Sequence, residues 1–112
     1  MSRERISPEK RARLEKLIDE AIVDAYDEYE QFMGMVYALD ENLNFPFRAE
    51  VLGEVVEVVG IDDSRSSLRR GIMAQIRKGG KTFVFPLAEL KPIDPDKVTT
   101  EWLEAFHYWL GE

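Results

Sequence analysis

The stretch LDENLNFPF, residues 39–47, separates two halves of the chain with different sequence patterns. Before it, apolar residues recur at helical spacing, and after it, β-branched residues fill short segments bounded by glycines. The stretch places Asp40 and Glu41 beside two Asn side chains and the apolar triplet 45–47. The carboxylate and amide oxygen atoms of these side chains could hold a cation at a boundary between helix and sheet. They could also be solvated groups at a helix end.

The composition limits the class of protein. A chain of 112 residues predicts one domain, spanning 1–112. It has no cysteine, which excludes disulfides, thiolate metal sites and cysteine nucleophiles. The charged N-terminus does not resemble a signal peptide, and no apolar run reaches the ~20 residues of a membrane span. We therefore expect a soluble, cytoplasmic protein with no membrane partner.

The charge is unevenly distributed. The chain has a net charge of −7, but residues 17–63 contain thirteen acidic residues and one basic residue, or −12. Such a block repels phosphate backbones and attracts cations, so we expect no nucleic-acid partner. Residues 64–81 contain six basic residues and no acidic one. We expect these to be solvated strand and loop residues facing the acidic helix, with contact to an anion as the alternative.

The first half predicts a long amphipathic helix. Ser7 and Pro8 form a typical helix start. Apolar residues follow at spacings of three and four, at Leu14, Ile18, Ile22, Ala25, Tyr29, Phe32 and Val36. A single helix over residues 8–39 would be ~48 Å long, too long to stay packed on a domain of this size. We therefore expect the helix to break or kink near Gly34.

The face opposite this stripe is acidic. It contains Glu20, Asp24, Asp27, Glu30 and Gln31. Like charges three or four residues apart destabilise a helix, and either a bound cation or solvent and salt would relieve the repulsion. Asp40 and Glu41 are predicted at the helix C-terminus, where the helix dipole favours cations over acids. Spacing alone leaves both explanations open.

The second half predicts four or five short antiparallel strands. We expect them over residues 48–52, 54–59, 71–77 and 81–85, with a short turn after Pro86 and a fifth strand ending at Ile93. Gly79-Gly80 is a strong hairpin signal. A last helix, capped by Thr99 or Thr100, would run to Leu110. The predicted class is α+β, with a small bent sheet or an SH3-like barrel between helices.

The residues offer little support for catalysis. There is one histidine, His107, within an aromatic cluster, where a structural role is the simpler interpretation. No nucleophile elbow, phosphate-binding loop or zinc spacing is present, so we expect no enzyme. Asp62 and Asp63 begin a loop without the glycine or the final glutamate of an EF-hand, and we expect them to be solvated. Hard oxygen ligands without His or Cys favour Ca²⁺ or Mg²⁺.

Several segments together resemble the small acidic calcium-binding proteins of the cyanobacterial CcbP type. The similarity extends, in order and spacing, through residues 22–31, 39–49, 56–60, 85–90 and 107–109. The Phe-Pro-Phe and His-Tyr-Trp elements are specific in combination. The resemblance implies a cytoplasmic protein that binds Ca²⁺ through carboxylates outside any EF-hand, as a buffer or a sensor.

Combined with the acidic block, the resemblance implies a set of candidate calcium ligands. These are Asp24, Asp27, Glu30, Asp40 and Glu41, of which Glu30, Asp40 and Glu41 match the family motifs best. The chain departs from the family pattern in a shorter segment between Ala49 and Val55, in Met35 instead of tryptophan, and in Ala105 instead of an acidic residue. The last change would weaken a site if that acid holds an ion.

A second hypothesis needs no metal. A small β-barrel can present a groove to a peptide, and the segment Phe85–Leu87 and the aromatic C-terminal segment could line one. The alternative function is therefore a metal-independent module that binds a protein partner.

Overall fold

The computed structural model describes residues 6–111 and has an α+β architecture, as predicted. The three helices are α1 (Pro8–Ala21), α2 (Glu28–Asn42) and α3 (Lys97–Leu110), and the five strands are β1 (Phe47–Val51), β2 (Glu54–Ile61), β3 (Met73–Lys78), β4 (Lys81–Pro86) and β5 (Lys91–Ile93). Short 3₁₀ turns cover Asp63–Arg65 and Leu87–Glu89. The helices thus precede and follow the sheet in sequence.

The N-terminal half forms two helices, and the predicted break near Gly34 is wrong. The break lies between Ala21 and Glu28, so Gly34 is inside α2. A Cβ atom at Gly34 would lie 2.5 Å from the carbonyl oxygen of Ala21. The glycine therefore lets α2 approach the end of α1 closely, rather than interrupting a helix.

The relocated break also divides the predicted apolar stripe. Leu14 and Ile18 of α1 are buried, as are Phe32 and Val36 of α2. Tyr29 was predicted on the same buried stripe, but its side chain is 58% exposed. The linker changes the rotational phase of the second helix, so a single stripe could not continue through both.

The five strands form one antiparallel sheet in the order β4-β3-β2-β1-β5. β4 and β5 are at opposite edges, yet only Leu87–Leu90 connects them. A flat five-stranded sheet would place its edges about 19 Å apart, close to the full reach of such a short connection. The sheet must therefore be strongly bent, as predicted. Within residues 6–111 no strand pairing joins β4 to β5, so the sheet is open and does not close into a barrel.

The Phe45-Pro46-Phe47 segment anchors the start of the sheet in the core. Phe47 is buried, Phe45 packs against the core, and the two rings stack with centroids 5.9 Å apart. Pro46 follows a cis peptide bond. The chain thus passes from the solvated end of α2 into β1 within a few residues.

The third helix begins earlier than predicted. Asp96, not Thr99 or Thr100, is its N-cap, and its carboxylate accepts a hydrogen bond from the Thr99 N–H at 2.7 Å. Thr99 is fully buried, and its hydroxyl oxygen accepts the N–H of Asn44 at 3.0 Å. The buried side of α3 contributes Trp102, Leu103 and Phe106 to the core.

Polar contacts at the rim support the packing of α1 on α3. Lys10 pairs with Glu104 at 3.2 Å, and the Tyr108 hydroxyl donates to Glu15 at 2.7 Å. Between residues 6 and 111, no helix combines the length and the hydropathy needed to cross a bilayer.

Candidate metal centre

The first group of candidate ligands lies in the α1–α2 linker and the first turn of α2. Asp24 occupies the left-handed backbone region with φ of 63°, in the turn that follows α1. Asp27 is the N-cap of α2, and Glu30 lies in its first turn. The sequence predicted all three on one helix face, but the break at residues 22–27 places them around a helix start instead. We call Asp24, Asp27 and Glu30 the linker group.

Two members of the linker group form a cap at the start of α2. Asp27 Oδ1 accepts the Glu30 N–H at 2.7 Å, and Glu30 Oε1 accepts the Tyr26 N–H at 2.7 Å. Free N–H groups at a helix start are stabilised by such carboxylates. The cap orients both side chains and engages one oxygen of each. All three carboxylates of the group are exposed to solvent.

The second group lies at the other end of the same helix. Asp40 and Glu41 are exposed residues of the last turn of α2, where no basic side chain is present. Their position at the helix C-terminus agrees with the sequence prediction. Partial negative charge at this end of a helix opposes further acids and favours a cation. We call Asp40 and Glu41 the C-terminal group.

The two groups lie too far apart to share one ion. Glu30 and Asp40 lie about 15 Å apart along the axis of α2, at about 1.5 Å per residue. Calcium–oxygen distances are about 2.3–2.6 Å, so one ion cannot contact both. The sequence had left open whether the groups form parts of one site, and the length of α2 answers that question.

Within the described residues, neither group is paired with a basic side chain. Among residues 6–111, no salt bridge involves any of the five candidate carboxylates. Over the same residues, no three side chains of the types His, Cys, Asp and Glu already converge on a point where they could hold a metal ion. The donor chemistry nevertheless fits Ca²⁺, since carboxylate oxygens are the ligands that this ion prefers.

The two asparagines of the opening stretch have structural partners. The Asn42 amide donates to the Ala38 carbonyl oxygen at 2.8 Å and so caps part of the end of α2. The Asn44 amide donates to Asp96 Oδ2 at 2.9 Å. Asn44 therefore ties the end of α2 to the start of α3, a role that the sequence pattern did not indicate.

Asp96 and Asp62 are further ordered carboxylates that the sequence analysis did not select as sites. The Thr99 N–H and the Asn44 amide hold the pKa of Asp96 below its ordinary value. Asp62 was expected to be solvated, but it accepts bonds from the Ser64 hydroxyl, the Gln75 amide and the Arg65 N–H, which lower its pKa. The Asp96-x-x-Thr99 spacing is a helix-start signal, and it could have identified Asp96 as the N-cap of α3 from the sequence.

A polar cleft of about 250 Å³ adjoins Asp96. Its lining comes from the Asn44–Arg48 segment, from Glu57, and from the residues between β5 and α3. Asp94 in that last segment has φ of 45°, in the left-handed region. The cleft thus lies at the junction of sheet and α3, apart from the linker group.

Within residues 6–111 no salt bridge joins the basic segment to the acidic helix that it was expected to face. Arg77 donates to Glu57 at 2.7 Å, and Lys78 pairs with Glu54, both acids of β2. The Lys78 contact lowers the pKa of Glu54. These cross-strand pairs support the sheet, and they do not compensate the acids of α2.

The comparisons with known proteins bear on what such carboxylates do. A model of the calcium-binding CcbP family matches residues 15–110. The chain belongs to this family. Its fold resembles the crystal structure of Anabaena CcbP, with 27% identity, coverage of 100% of this chain and 97% of that chain, and a TM-score of 0.79.

A second structural relative of the CcbP-family chain is described as a calcium-binding protein in its calcium-binding form. It is 25% identical, with 95% of this chain and 96% of that one covered and a TM-score of 0.73. A search of curated proteins gives no significant match. Family and fold together support calcium binding over the metal-independent alternative.

Proposed function

We propose that this CcbP-family protein binds Ca²⁺ at the two ends of α2, through the linker group and the C-terminal group. One observation supports this assignment above all: these exposed carboxylates lack salt-bridge partners within residues 6–111, although the chain contains fifteen Lys and Arg residues. A divalent cation at each end would relieve the repulsion. Backbone carbonyl oxygens and water would complete the coordination of the ion.

In the linker group, the cap prepares two carboxylates for an ion. The N–H groups of Glu30 and Tyr26 each engage one carboxylate oxygen, which limits the side-chain rotations of Asp27 and Glu30. Less conformational entropy is then lost when an ion binds the remaining oxygens. Asp24, in the turn just before this cap, would supply a third carboxylate after a local adjustment.

In the C-terminal group, the helix itself favours the cation. Asp40 and Glu41 lie where the partial charge of the helix end is negative, so an ion there interacts favourably with both the carboxylates and the dipole. The hydrogen bonds of Asn44 to Thr99 and Asp96 hold the following segment in place. This group offers two carboxylates instead of three, and we expect it to bind Ca²⁺ more weakly than the linker group.

Isothermal titration with Ca²⁺ and with Mg²⁺ tests the assignment. The variant Asp27→Asn with Glu30→Gln retains side-chain oxygens that can accept the capping N–H groups, but it removes two charges. The variant Asp40→Asn with Glu41→Gln does the same at the other end. A matched control, Asp63→Asn with Glu89→Gln, removes two exposed charges elsewhere.

We expect each α2 variant to lose one binding event, or at least tenfold in affinity, while the control changes little. Equal losses in the control would mean that net charge alone attracts the ion, and unchanged binding in both α2 variants would refute the assignment. Terbium luminescence adds a local readout. Tyr26 and Tyr29 flank the linker group and Tyr37 lies one turn before Asp40, so Tyr37→Phe should reduce emission from the C-terminal group only.

A buffer and a sensor differ in their response to the ion. Because the linker group joins α1 to α2, an ion there could alter how α1 packs. Small-angle scattering and amide exchange with and without Ca²⁺ distinguish the roles: protection confined to residues 22–42 identifies a buffer, whereas altered protection along α1 and α3 identifies a sensor.

We also propose that the protein is a cytoplasmic, non-enzymatic protein with no nucleic-acid or membrane partner. The absence of cysteine suits a reducing compartment. The acidic block disfavours phosphate backbones. The histidine lies half-buried beside Phe106, with ring centroids 5.4 Å apart, which suits a packing role. Fractionation of cell extracts and a nucleic-acid binding assay test these points.

A further inference from the structure

The two edges of the sheet differ in how accessible they are to another strand. β5 has only three residues, and Pro92 in its centre lacks an N–H group. β4 has six residues with no proline before Pro86 and no acidic residue, and its first three residues are exposed. Short, proline-containing edges resist pairing with other strands, whereas longer regular edges permit it. Of the two sheet edges in the described part of the chain, β4 is therefore the one open to strand addition.

The register identifies the backbone groups that point away from the sheet. The Gly79-Gly80 turn pairs Lys78 with Lys81, and hydrogen-bonded pairs then alternate with non-bonded ones along β3 and β4. Ile76–Phe83 is a bonded pair, so the N–H and C=O groups of Thr82 and Val84 point outward. No bond to these groups occurs among the backbone hydrogen bonds outside the helices and strands of residues 6–111.

We propose that β4 pairs with β4 of a second copy of this chain, antiparallel and about a two-fold axis at Phe83. In this register Thr82 of one copy faces Val84 of the other, and four backbone hydrogen bonds form between them. Phe83 faces Phe83 of the second copy in a non-bonded pair, where side chains come closest. Its side chain is 48% exposed in one copy, so the pair would cover apolar surface.

The charges of the edge permit this register. Lys81 of one copy faces Phe85 of the other, and the two Lys81 positions lie about 13 Å apart. This separation exceeds the screening length of about 8 Å at physiological salt. No acidic residue occurs between positions 64 and 86, a range that includes all of β4, so the edge itself contains no acidic residue. The strand is thus compatible with its own copy.

The geometry limits both the stoichiometry and the strength of the association. Because the β5 edge is blocked, pairing through β4 closes at two copies and does not propagate. The contact would bury on the order of 100 Å² of aromatic surface on each copy, with a short strand pair, far below the ~1,200 Å² of a stable interface. We expect a weak dimer, populated at millimolar and dissociated at about 10 µM concentration. It does not require Ca²⁺.

Sedimentation equilibrium of the full chain tests the association. The average mass should rise towards twice 13.0 kDa as the concentration increases. Phe83→Lys places two like charges opposite each other at the axis and should remain monomeric. Leu110→Lys, at a similarly exposed apolar position on α3, should behave as the wild type. A wild-type chain that stays monomeric at 1 mM overturns the proposal. This holds even if β4 then proves to bind a peptide from another protein.

Cysteine cross-linking tests the register, since the natural chain has no cysteine. Phe83→Cys places the two thiols opposite each other at the axis, whereas Thr82→Cys places each thiol opposite Val84 of the other copy. Under mild oxidation we expect Phe83→Cys to form a disulfide-linked dimer at least tenfold faster. Equal rates for the two variants would refute this register.

Discussion

Gly34→Ala is a demanding test of the junction between α1 and α2. A methyl group at this position would lie 2.5 Å from the carbonyl oxygen of Ala21, whereas ordinary contacts begin at 3.4 Å. The other nearest atoms, the carbonyl carbon of Ala21 and the Cα of Ile22, are also backbone atoms that no side-chain rotation can move. The end of α1 would therefore have to shift by about 0.9 Å.

Two opposing effects determine the change in stability. Replacing glycine by alanine inside an exposed helix stabilises a protein by about 1 kcal/mol. Forcing extra atoms into a packed contact costs about 1–3 kcal/mol. We expect the contact to dominate, with a net loss of about 1 kcal/mol and a fall in melting temperature of about 4 °C.

Urea denaturation followed by circular dichroism measures the free energy of unfolding. Gly60→Ala is the control, since a Cβ there would meet only the Gln75 side chain at 3.6 Å. Because Gly34 contacts the start of the linker, its alanine variant should also weaken Ca²⁺ binding at the linker group and leave the C-terminal group unchanged. A Gly34→Ala protein more stable than the wild type would refute the close contact.

Three further predictions concern the sheet, the pH response and the core. Leu52 is 92% exposed and, like Gly53, has a positive φ, a conformation that Asn adopts more readily than Leu. Leu52→Asn should therefore raise the free energy of unfolding by about 1 kcal/mol in urea denaturation. A lower free energy of unfolding would contradict the turn geometry. The pKa of Asp96 is lowered in the fold, so its charge stabilises the protein at pH values above the ordinary pKa of 3.8, and this contribution is lost as the pH falls through the folded pKa. In thermal melts, the wild type should therefore be more stable than Asp96→Asn at pH 7, and the two melting temperatures should converge in acid. A difference in melting temperature that stays constant with pH would argue against a role for the charge. Phe106 is 1% exposed, so Phe106→Ala should cost about 3–5 kcal/mol by calorimetry, and a loss below 1 kcal/mol would contradict its burial.

The strands were predictable because their signals are local. Runs of β-branched residues and the Gly79-Gly80 turn specify β2, β3 and β4 from neighbouring residues alone, and the observed bounds differ from the predicted ones by only a few residues. The bend of the sheet was predicted from the pattern of short strands joined by tight turns. Closure into a barrel could not be decided, since it depends on pairing between residues distant in sequence.

The helix break was missed because apolar spacing continues through it. Ile22 and Ala25 fit the helical period, so periodicity masked the change at residues 22–27. A capping signal was nevertheless present, since Asp27 and Glu30 have the spacing of a capping box. Gly34 suggested a break by residue type, but its function is contact with another helix, which only the tertiary structure reveals.

The candidate ligands were predictable in type and not in arrangement. An excess of acids with few basic neighbours made a bound cation one of two explanations, and the family resemblance favoured it. Whether Glu30 and Asp40 share an ion depends on the length of the helix between them, which the misplaced break obscured. The partners of Asn44 were equally inaccessible, because Asp96 and Thr99 lie 52 and 55 residues further along the chain.

This long-range connection has a consequence for the order in which the protein matures on the ribosome. The hairpins β1–β2 and β3–β4 join neighbouring segments and can form as soon as those segments emerge. Asn44 must wait for Thr99 and Asp96, and contacts of such sequence separation form late because loop closure opposes them. The end of α2 thus acquires its anchor only when α3 has been synthesised. A nascent chain lacking α3 would present Asp40 and Glu41 on a loose end, so ion binding at this group should follow completion of the chain.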